Sequence, residues 1–505
     1  MKLLKGEVGF LILYAAAFYA FIIHRSLQLS RDHHAKLFGL RPGWLIPHRL
    51  NDVSDAQWRN FRGNFPVLTG VFTMFTLIAN LLRTSFHLKA RGMSIIWILI
   101  SFTYLAYLHG ACLEMGSQTA KTGSHNYQIQ STYFMITAVW SRPTMPQIGA
   151  LWIRSRVFVL RMISFGYDYH WAHRDSRFDH KKHIQHCNIC KSGKTCYHVL
   201  QERGVQNDMY ALTTYLAYLV YAPLYLTGPI VSFNAFASQL DVPQNNFSAK
   251  DIAWYGLRWV FSLLLMELMT HLFYYNAFAI SGMWKELYPM DVFIIGYGVR
   301  DDPYSIKVLI FMWLKFFLIW RYFRFWSLIC GIEVPENMPR CINNCYNLET
   351  FWKNWHASYN KWLVRYLYIP LGGTRRKLLN VWVVFTFVAI WHDLEWKLLS
   401  WAWLTCLFFI PEMILKSATN AFQVKSTHGE FVVRELSAVA GAITITCLMV
   451  ANLVGFVIGP SGISWLISQF LKREGLPVLA GMLLTFYVGT KVMSQLSAYF
   501  FNGEV

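Results

Sequence analysis

Charge is what this sequence has least of. Only 14% of its 505 residues are Asp, Glu, Lys or Arg, where a soluble protein carries roughly 25%. Long runs hold no charged side chain at all, among them Val8 to Ile23, Phe65 to Leu82, Met93 to Leu108, Tyr210 to Phe236 and Leu476 to Val488. One soluble domain cannot bury that many such runs, so a soluble all-α core is excluded. A membrane span needs about 20 mostly apolar residues, and several of the runs reach or approach that length. Acidic residues are the scarcer sign, 27 Asp+Glu against 46 Lys+Arg. The basic residues sit between apolar runs, where they face anionic lipid. No RNA- or DNA-binding motif accompanies them, so no nucleic-acid partner is expected. The nine cysteines form no paired framework of the kind that staples small secreted folds. There is no Gly-x-Ser-x-Gly elbow, hence no serine-hydrolase triad. There is no 20–50-residue repeat either, hence no solenoid.

Run length places about ten to twelve hydrophobic segments, near 8–24, 65–82, 93–114, 127–140, 148–166, 209–236, 252–280, 305–330, 378–392, 397–416, 434–458 and 476–500. The first is followed by His24-Arg25-Ser26 and not by a small-residue cleavage site, so it reads as an uncleaved span. Its neighbour, Arg25 to Asn64, is basic, and the positive-inside rule places that loop in the cytosol. No domain boundary is evident, and 1–505 reads as a single integral membrane domain interrupted by polar stretches.

The most informative stretch runs from Phe351 to Tyr368. Trp352, Trp355, Tyr359, Trp362, Leu363 and Tyr366 recur at helical spacing, which predicts one amphipathic helix with an aromatic stripe at the membrane interface. His356 borders that stripe, as one turn follows Trp352. Trp352 and Asn360 are candidate substrate contacts on the same helix. Pro370, Gly372 and Gly373 end it. Arg375, Arg376 and Lys377 follow as a basic knot, and then an apolar run ends in Trp391-His392-Asp393. A helix from Leu378 would carry His392 about 21 Å, short of the roughly 30 Å hydrocarbon thickness. An ionisable group at that depth usually faces the protein interior. A single histidine there is ordinarily a hydrogen-bonded core residue. Two, one on an interfacial helix and one on the adjoining span, can converge in one cavity.

Two further constellations stand out. Between residues 167 and 207 lies a polar loop with His170, His173, His180, His183, His186, Cys187, Cys190, Cys196 and His198. Cys-x2-Cys followed by Cys-x-His has zinc spacing, so Cys187, Cys190, Cys196 and His198 are the expected ligands of a structural zinc. A disulfide or an unstructured His-rich loop are the alternatives. Glu267 and His271 share one apolar helix face, where they pair with each other or with a basic residue such as Lys315, or else handle protons or substrate. Cys341 and Cys345 lie just before the His356 helix, open to S-acylation or haem ligation or simply unmodified.

Trp391-His392 and Trp355-His356-Ala-Ser resemble the paired histidines of the membrane-bound O-acyltransferase (MBOAT) family. Further matching blocks are Tyr221-Ala-Pro-Leu-Tyr-Leu-Thr-Gly-Pro-Ile230, Glu267-Leu-Met-Thr-His271, Pro339-Arg340-Cys341 and Arg365-Tyr-Leu-Tyr-Ile-Pro370. The branch it is similar to includes hedgehog acyltransferases and the glycerol-uptake-type proteins. Asp393 stands where many members have Gly. The resemblance is carried from Tyr210 onward, so 210–500 is the expected MBOAT core. It implies an all-α polytopic fold of roughly 10–12 transmembrane or re-entrant helices around a central catalytic tunnel.

The implied reaction moves a fatty acyl group from acyl-CoA to a hydroxyl of a lipid or lipidated acceptor in the endoplasmic reticulum membrane, with lyso-GPI-anchor remodelling as one form. His392 would act as base and His356 would hold the carbonyl or orient the acceptor. Trp391 would line the substrate site, and Arg375, Arg376 and Lys377 would hold the CoA phosphates or else touch lipid headgroups. A protein acyltransferase of the hedgehog type and a polytopic glycerol transporter remain the other readings.

Overall fold

The computed structural model describes residues 2–120, 146–174, 178–281, 283, 308–341, 345, 347–421, 427–456 and 459–501. The segment expected near 127–140 lies outside them. The described chain is helical apart from one small antiparallel hairpin, β1 (Leu40–Pro42) with β2 (Leu50–Asp52). Six helices among the described residues are long and apolar enough to cross a membrane, over Gly9–Lys36, Ala56–Ser85, Ala249–Leu272, Trp396–Ile414, Phe431–Asn452 and Leu476–Gln495. They leave Leu13, Leu77, Leu81, Phe261, Leu264, Ile443 and Leu484 exposed. Large apolar side chains in that number on the outside are at home only against lipid.

The first half packs around one aromatic core. Helices α1 (Lys2–His33), α2 (Ala56–Ser85), α3 (Ala90–Ala120) and α4 (Pro146–Ala172) are joined through the polar loop helices α5 (His180–His186), α6 (Asn188–Lys191) and α7 (Tyr197–Glu202) to the run from Leu212. Trp58, Phe72, Tyr104, Tyr218, Phe236 and Trp326 form the centre of that core. Asp55 caps α2 by accepting the Trp58 amide at 2.6 Å, and its other oxygen takes Lys315 Nζ at 2.9 Å, a fully buried ion pair.

The apolar run 209–236 is not one span. It folds as α8 (Leu212–Val220), α9 (Ala222–Tyr225) and α10 (Phe233–Asp241). Pro223 near the start of α9 and Pro229 both lack an amide donor, and a Cβ at Gly228 would sit 2.7 Å from the Leu224 Cα. The freed backbone groups are buried, so each must find a partner. Arg161 of α4 donates to the carbonyls of Tyr218, Leu219 and Leu224 at 3.0, 2.8 and 2.9 Å. Ser101 Oγ accepts the Ala222 amide, Ser358 Oγ the Ile230 amide, and Tyr218 Oη donates to the Val231 carbonyl. Asp168, two turns after Arg161 on α4, accepts the Asn234 amide at 3.0 Å.

After α11 (Ala249–Leu272), α12 (Tyr275–Ile280) and α13 (Val308–Ile329) come α14 (Leu348–Asn354) and α15 (Ala357–Leu363). A π turn over Val364–Tyr368 follows, then a 3-10 turn over Gly373–Arg376. Next is α16 (Lys377–His392), and α17 (Trp396–Ala421), α18 (Thr427–Phe456), α19 (Gly459–Phe470) and α20 (Leu476–Phe501) complete the helices. A second core joins α15, α16 and α17 through Trp362, Val388, Ala389, Leu398 and Trp401, with Leu160 of α4. At the far edge α1 packs on α20. A charge cluster clasps the two: Lys491 reaches Glu7 and Glu435, and Arg434 reaches Glu7 at 3.0 Å.

Replacing Arg161 with Leu removes the donors of three buried carbonyls at once. The expected loss is about 3 kcal/mol or more, read as a lowered midpoint of thermal unfolding in detergent. An unchanged midpoint would show that other donors serve those carbonyls.

Candidate active site

The helix expected across 351–368 is broken at the histidine. His356 adopts φ 50°, ψ 51° between α14 and α15, a left-handed conformation that costs a non-glycine residue strain and clusters at functional sites. Asn337 holds the break open. Its carbonyl accepts the Ala357 amide at 2.9 Å and its side-chain oxygen the Ser358 amide at 3.0 Å. The periodic stripe is real as burial, since Tyr359, Trp362, Leu363 and Tyr366 are all buried. It does not run as one helix, because a continuous helix would have pointed His356 back along its own turn.

The break turns the His356 ring into a cage of aromatics. It lies 4.4 Å from the Trp320 ring of α13, 5.3 Å from Tyr359 and 6.2 Å from Trp391. Trp391 is in turn 4.9 Å from the His392 ring, which also meets Trp401 at 6.0 Å. One indole thus separates the two histidines. The structure brings together His356, Trp391 and His392, which the sequence singled out as one site. His392 is solvent-accessible. Buried polar atoms without a protein partner gather here: His356 Nδ1, Tyr359 Oη, Trp352 Nε1 and Trp391 Nε1. Such atoms are expensive to leave unpaired, so a bound molecule or water that met them would be favoured here.

Arg156 of α4 secures the end of α16. It donates to the His392 carbonyl and approaches Asp393 Oδ1 at 3.9 Å. This accounts for an aspartate after the histidine: it adds a counter-charge to the arginine that satisfies the last turn's carbonyl. Behind α15, Arg365 and Tyr366 of the π turn both reach the Asp168 carboxylate, at 3.1 and 3.0 Å, and Arg365 also pairs with Glu202 of α7. A π turn is a frequent mark of a functional site. Here it aims Arg365 back into the protein.

The other candidates fall elsewhere. Trp352 borders the site through Trp401 at 5.6 Å. Asn360 is half-buried on α15, its amide bonded to the His356 carbonyl. Arg375, Arg376 and Lys377 are exposed at the opposite end of α16 from His392, about 22 Å away along the helix. Glu267 and His271 are occupied by the loop around the hairpin. Glu267 accepts Trp44 Nε1 and pairs with Arg62, while His271 Nε2 accepts the amides of Trp44 and Leu45. Lys315, expected as their partner, is taken by Asp55. Their work is structural because every polar atom they would offer a substrate is already spent on that loop. A cleft lined by Tyr197, Gln201, Ser232, Ser358, Lys361 and Tyr366 opens beside α15, and neither histidine lines it. Cys345 is buried and Cys341 half-buried.

In the polar loop the structure gathers His183, Cys187, Cys190 and Cys196. His198, the expected fourth ligand, points to Glu202 instead. The nearest downstream histidine in sequence is on the outer face of α7, whereas His183 is carried inward by α5. Asn337, Arg156 and His183 are thus the residues that sequence reasoning missed. The first two have no local signal, since they act on segments far away along the chain.

The sequence pattern of MBOAT, the membrane-bound O-acyltransferase family, matches residues 88–453. The match begins well before Tyr210. The chain is 30% identical to the membrane-bound O-acyltransferase gup1 of Schizosaccharomyces pombe, over 90% of this chain and 82% of that protein. It is 31% identical to the membrane-bound O-acyltransferase GUP1 of Saccharomyces cerevisiae, over 97% and 90%. A more distant similarity, 26% over 47% of this chain and 48% of the relative, is to the protein-cysteine N-palmitoyltransferase HHAT of Mus musculus.

Asn337→Leu keeps the side-chain volume but strips the Ser358 amide of its acceptor. Stability should fall by about 1–3 kcal/mol, and turnover should fall with it because His356 is released from its strained conformation. Full turnover in the folded variant would show that the strain is incidental.

Proposed function

This chain belongs to the membrane-bound O-acyltransferase family and is an acyltransferase, and from that premise we propose that it moves a fatty acyl group from acyl-CoA to a hydroxyl of a lipid acceptor. The observation that carries the proposal is the pair of histidines on either side of Trp391, set among four buried polar atoms that have no protein partner. A thioester is already activated, so no covalent acyl-enzyme is needed. His392 takes the proton of the incoming hydroxyl as its oxygen attacks the thioester carbonyl. The oxyanion that forms needs donors fixed in advance, and the indole N–H groups of Trp352 and Trp391 and the Tyr359 hydroxyl are of the right kind. Collapse of the intermediate expels the CoA thiolate, which recovers the proton. His356, held by its strained backbone, positions the acceptor or the carbonyl.

The acceptor is proposed to be a lipid of the endoplasmic reticulum, with lyso-GPI-anchor lipid as the specific candidate. The exposed Arg375-Arg376-Lys377 knot would hold CoA phosphates only if the co-substrate lies along α16. Partial similarity to a protein-cysteine N-palmitoyltransferase favours one second reading, transfer to a protein acceptor. A glycerol transporter would call for inverted repeats, which the sequence lacks, and family membership speaks for transfer chemistry.

Purified His392→Ala should lose acyl transfer by about 100-fold or more, while remaining monodisperse. His356→Ala should lose less, because it positions and does not carry the proton. Full activity in a monodisperse His392→Ala protein overturns the assignment. Lipid profiling of cells lacking the protein, rescued by wild type but not by His392→Ala, identifies the acceptor. A change confined to an acylated protein would move the reading to a protein acceptor.

A further inference from the structure

Outside the active site, the polar loop brings together four groups that the acyl-transfer chemistry does not use. His183 projects from α5, whose N-terminus is capped by Asp179 accepting the Lys182 amide at 3.0 Å. Four residues on, the Cys187 amide closes α5 on the His183 carbonyl at 3.0 Å, which stacks the two side chains on one face. The single turn α6 then carries Cys190. Gly193 takes φ +78°, a left-handed turn that glycine adopts without strain, and the chain doubles back to Cys196 at the head of α7.

The outcome is one imidazole and three sulfurs whose candidate ligand atoms all lie within 4.8 Å of one another. His183 Nε2 is 3.2 Å from Cys196 Sγ. Tetrahedral zinc with bonds of about 2.3 Å to sulfur and about 2.0 Å to nitrogen separates its ligand atoms by about 3.5–3.8 Å, so the cluster needs only small shifts to close on an ion. All three thiols are free. His198 is excluded by its direction: its ring lies tilted 5.2 Å from the His183 ring and turns its Nδ1 toward Glu202.

We propose that His183, Cys187, Cys190 and Cys196 bind one structural zinc ion. Four protein ligands leave no open position, so the ion does no chemistry on substrate. Its effect is mechanical. The site ends where α7 begins, and α7 carries Tyr197, whose hydroxyl accepts the Ser232 amide, and Glu202, which pairs with Arg365 of the π turn. The metal therefore anchors the polar loop against the segment that follows His356.

The test uses the full chain, purified in detergent without chelators. Elemental analysis should find roughly one zinc per chain, and X-ray absorption should find a shell of three sulfurs and one nitrogen. His183→Ala and each Cys→Ser variant should lose most of the metal, while His198→Ala should keep it. Absence of zinc from the wild type, a different metal in that shell, or a disulfide among the three cysteines overturns the site. Loss of zinc in His198→Ala with retention in His183→Ala overturns the ligand assignment. If the cysteine variants fail to fold, the wild-type absorption shell alone decides.

Discussion

The middle of this molecule depends on a guanidinium sealed inside it. Arg161 takes three main-chain carbonyls that the broken run between Val220 and Phe233 cannot satisfy from within. In a lipid environment there is no water to do so. Two turns along the same helix, Asp168 receives an amide of the next helix together with Arg365 and Tyr366. One face of α4 thus serves both non-helical segments, the one around Gly228-Pro229 and the π turn after α15. The irregular backbone is there because the active site needs chain direction to change at depth, and α4 makes that change tolerable.

The histidine pair shows the same exchange on a smaller scale. A left-handed His356 is costly on its own, and Asn337 offsets that cost by supplying two acceptors to the first turn of α15. The ring is then fixed by Trp320, Tyr359 and Trp391 and not by hydrogen bonds. That leaves its Nδ1 uncommitted. A histidine bonded to a neighbouring carbonyl would be better satisfied and less useful.

Much of the architecture was legible in the sequence because apolar length is a strong signal. Val8 to Ile23, Phe65 to Leu82 and Leu476 to Val488 all lie in long helices, and Trp391-His392 closes an apolar helix as its position suggested. What was illegible was where the helices stop. The spacing of Trp352, Tyr359 and Trp362 describes which side chains are buried, and burial survives a break between Trp355 and Ala357. The run from Tyr210 to Phe236 is apolar because it is internal, not because it spans. Asn337, Arg156 and Arg161 could not be picked out, since each serves atoms that are remote in sequence. His183 was passed over for His198 because spacing counts residues and not the direction a short helix gives them.

The clasp between α1 and α20 has a consequence for how the chain is made. Glu7 is held by Arg434 and Lys491, and almost the whole described chain lies between them. At about 5–20 residues per second, α1 leaves the ribosome tens of seconds before its counter-charges exist. Throughout that interval a carboxylate near an apolar helix must wait at the interface, be protonated, or be sheltered by another protein. This edge of the molecule can therefore close only after α18 and α20 have been made.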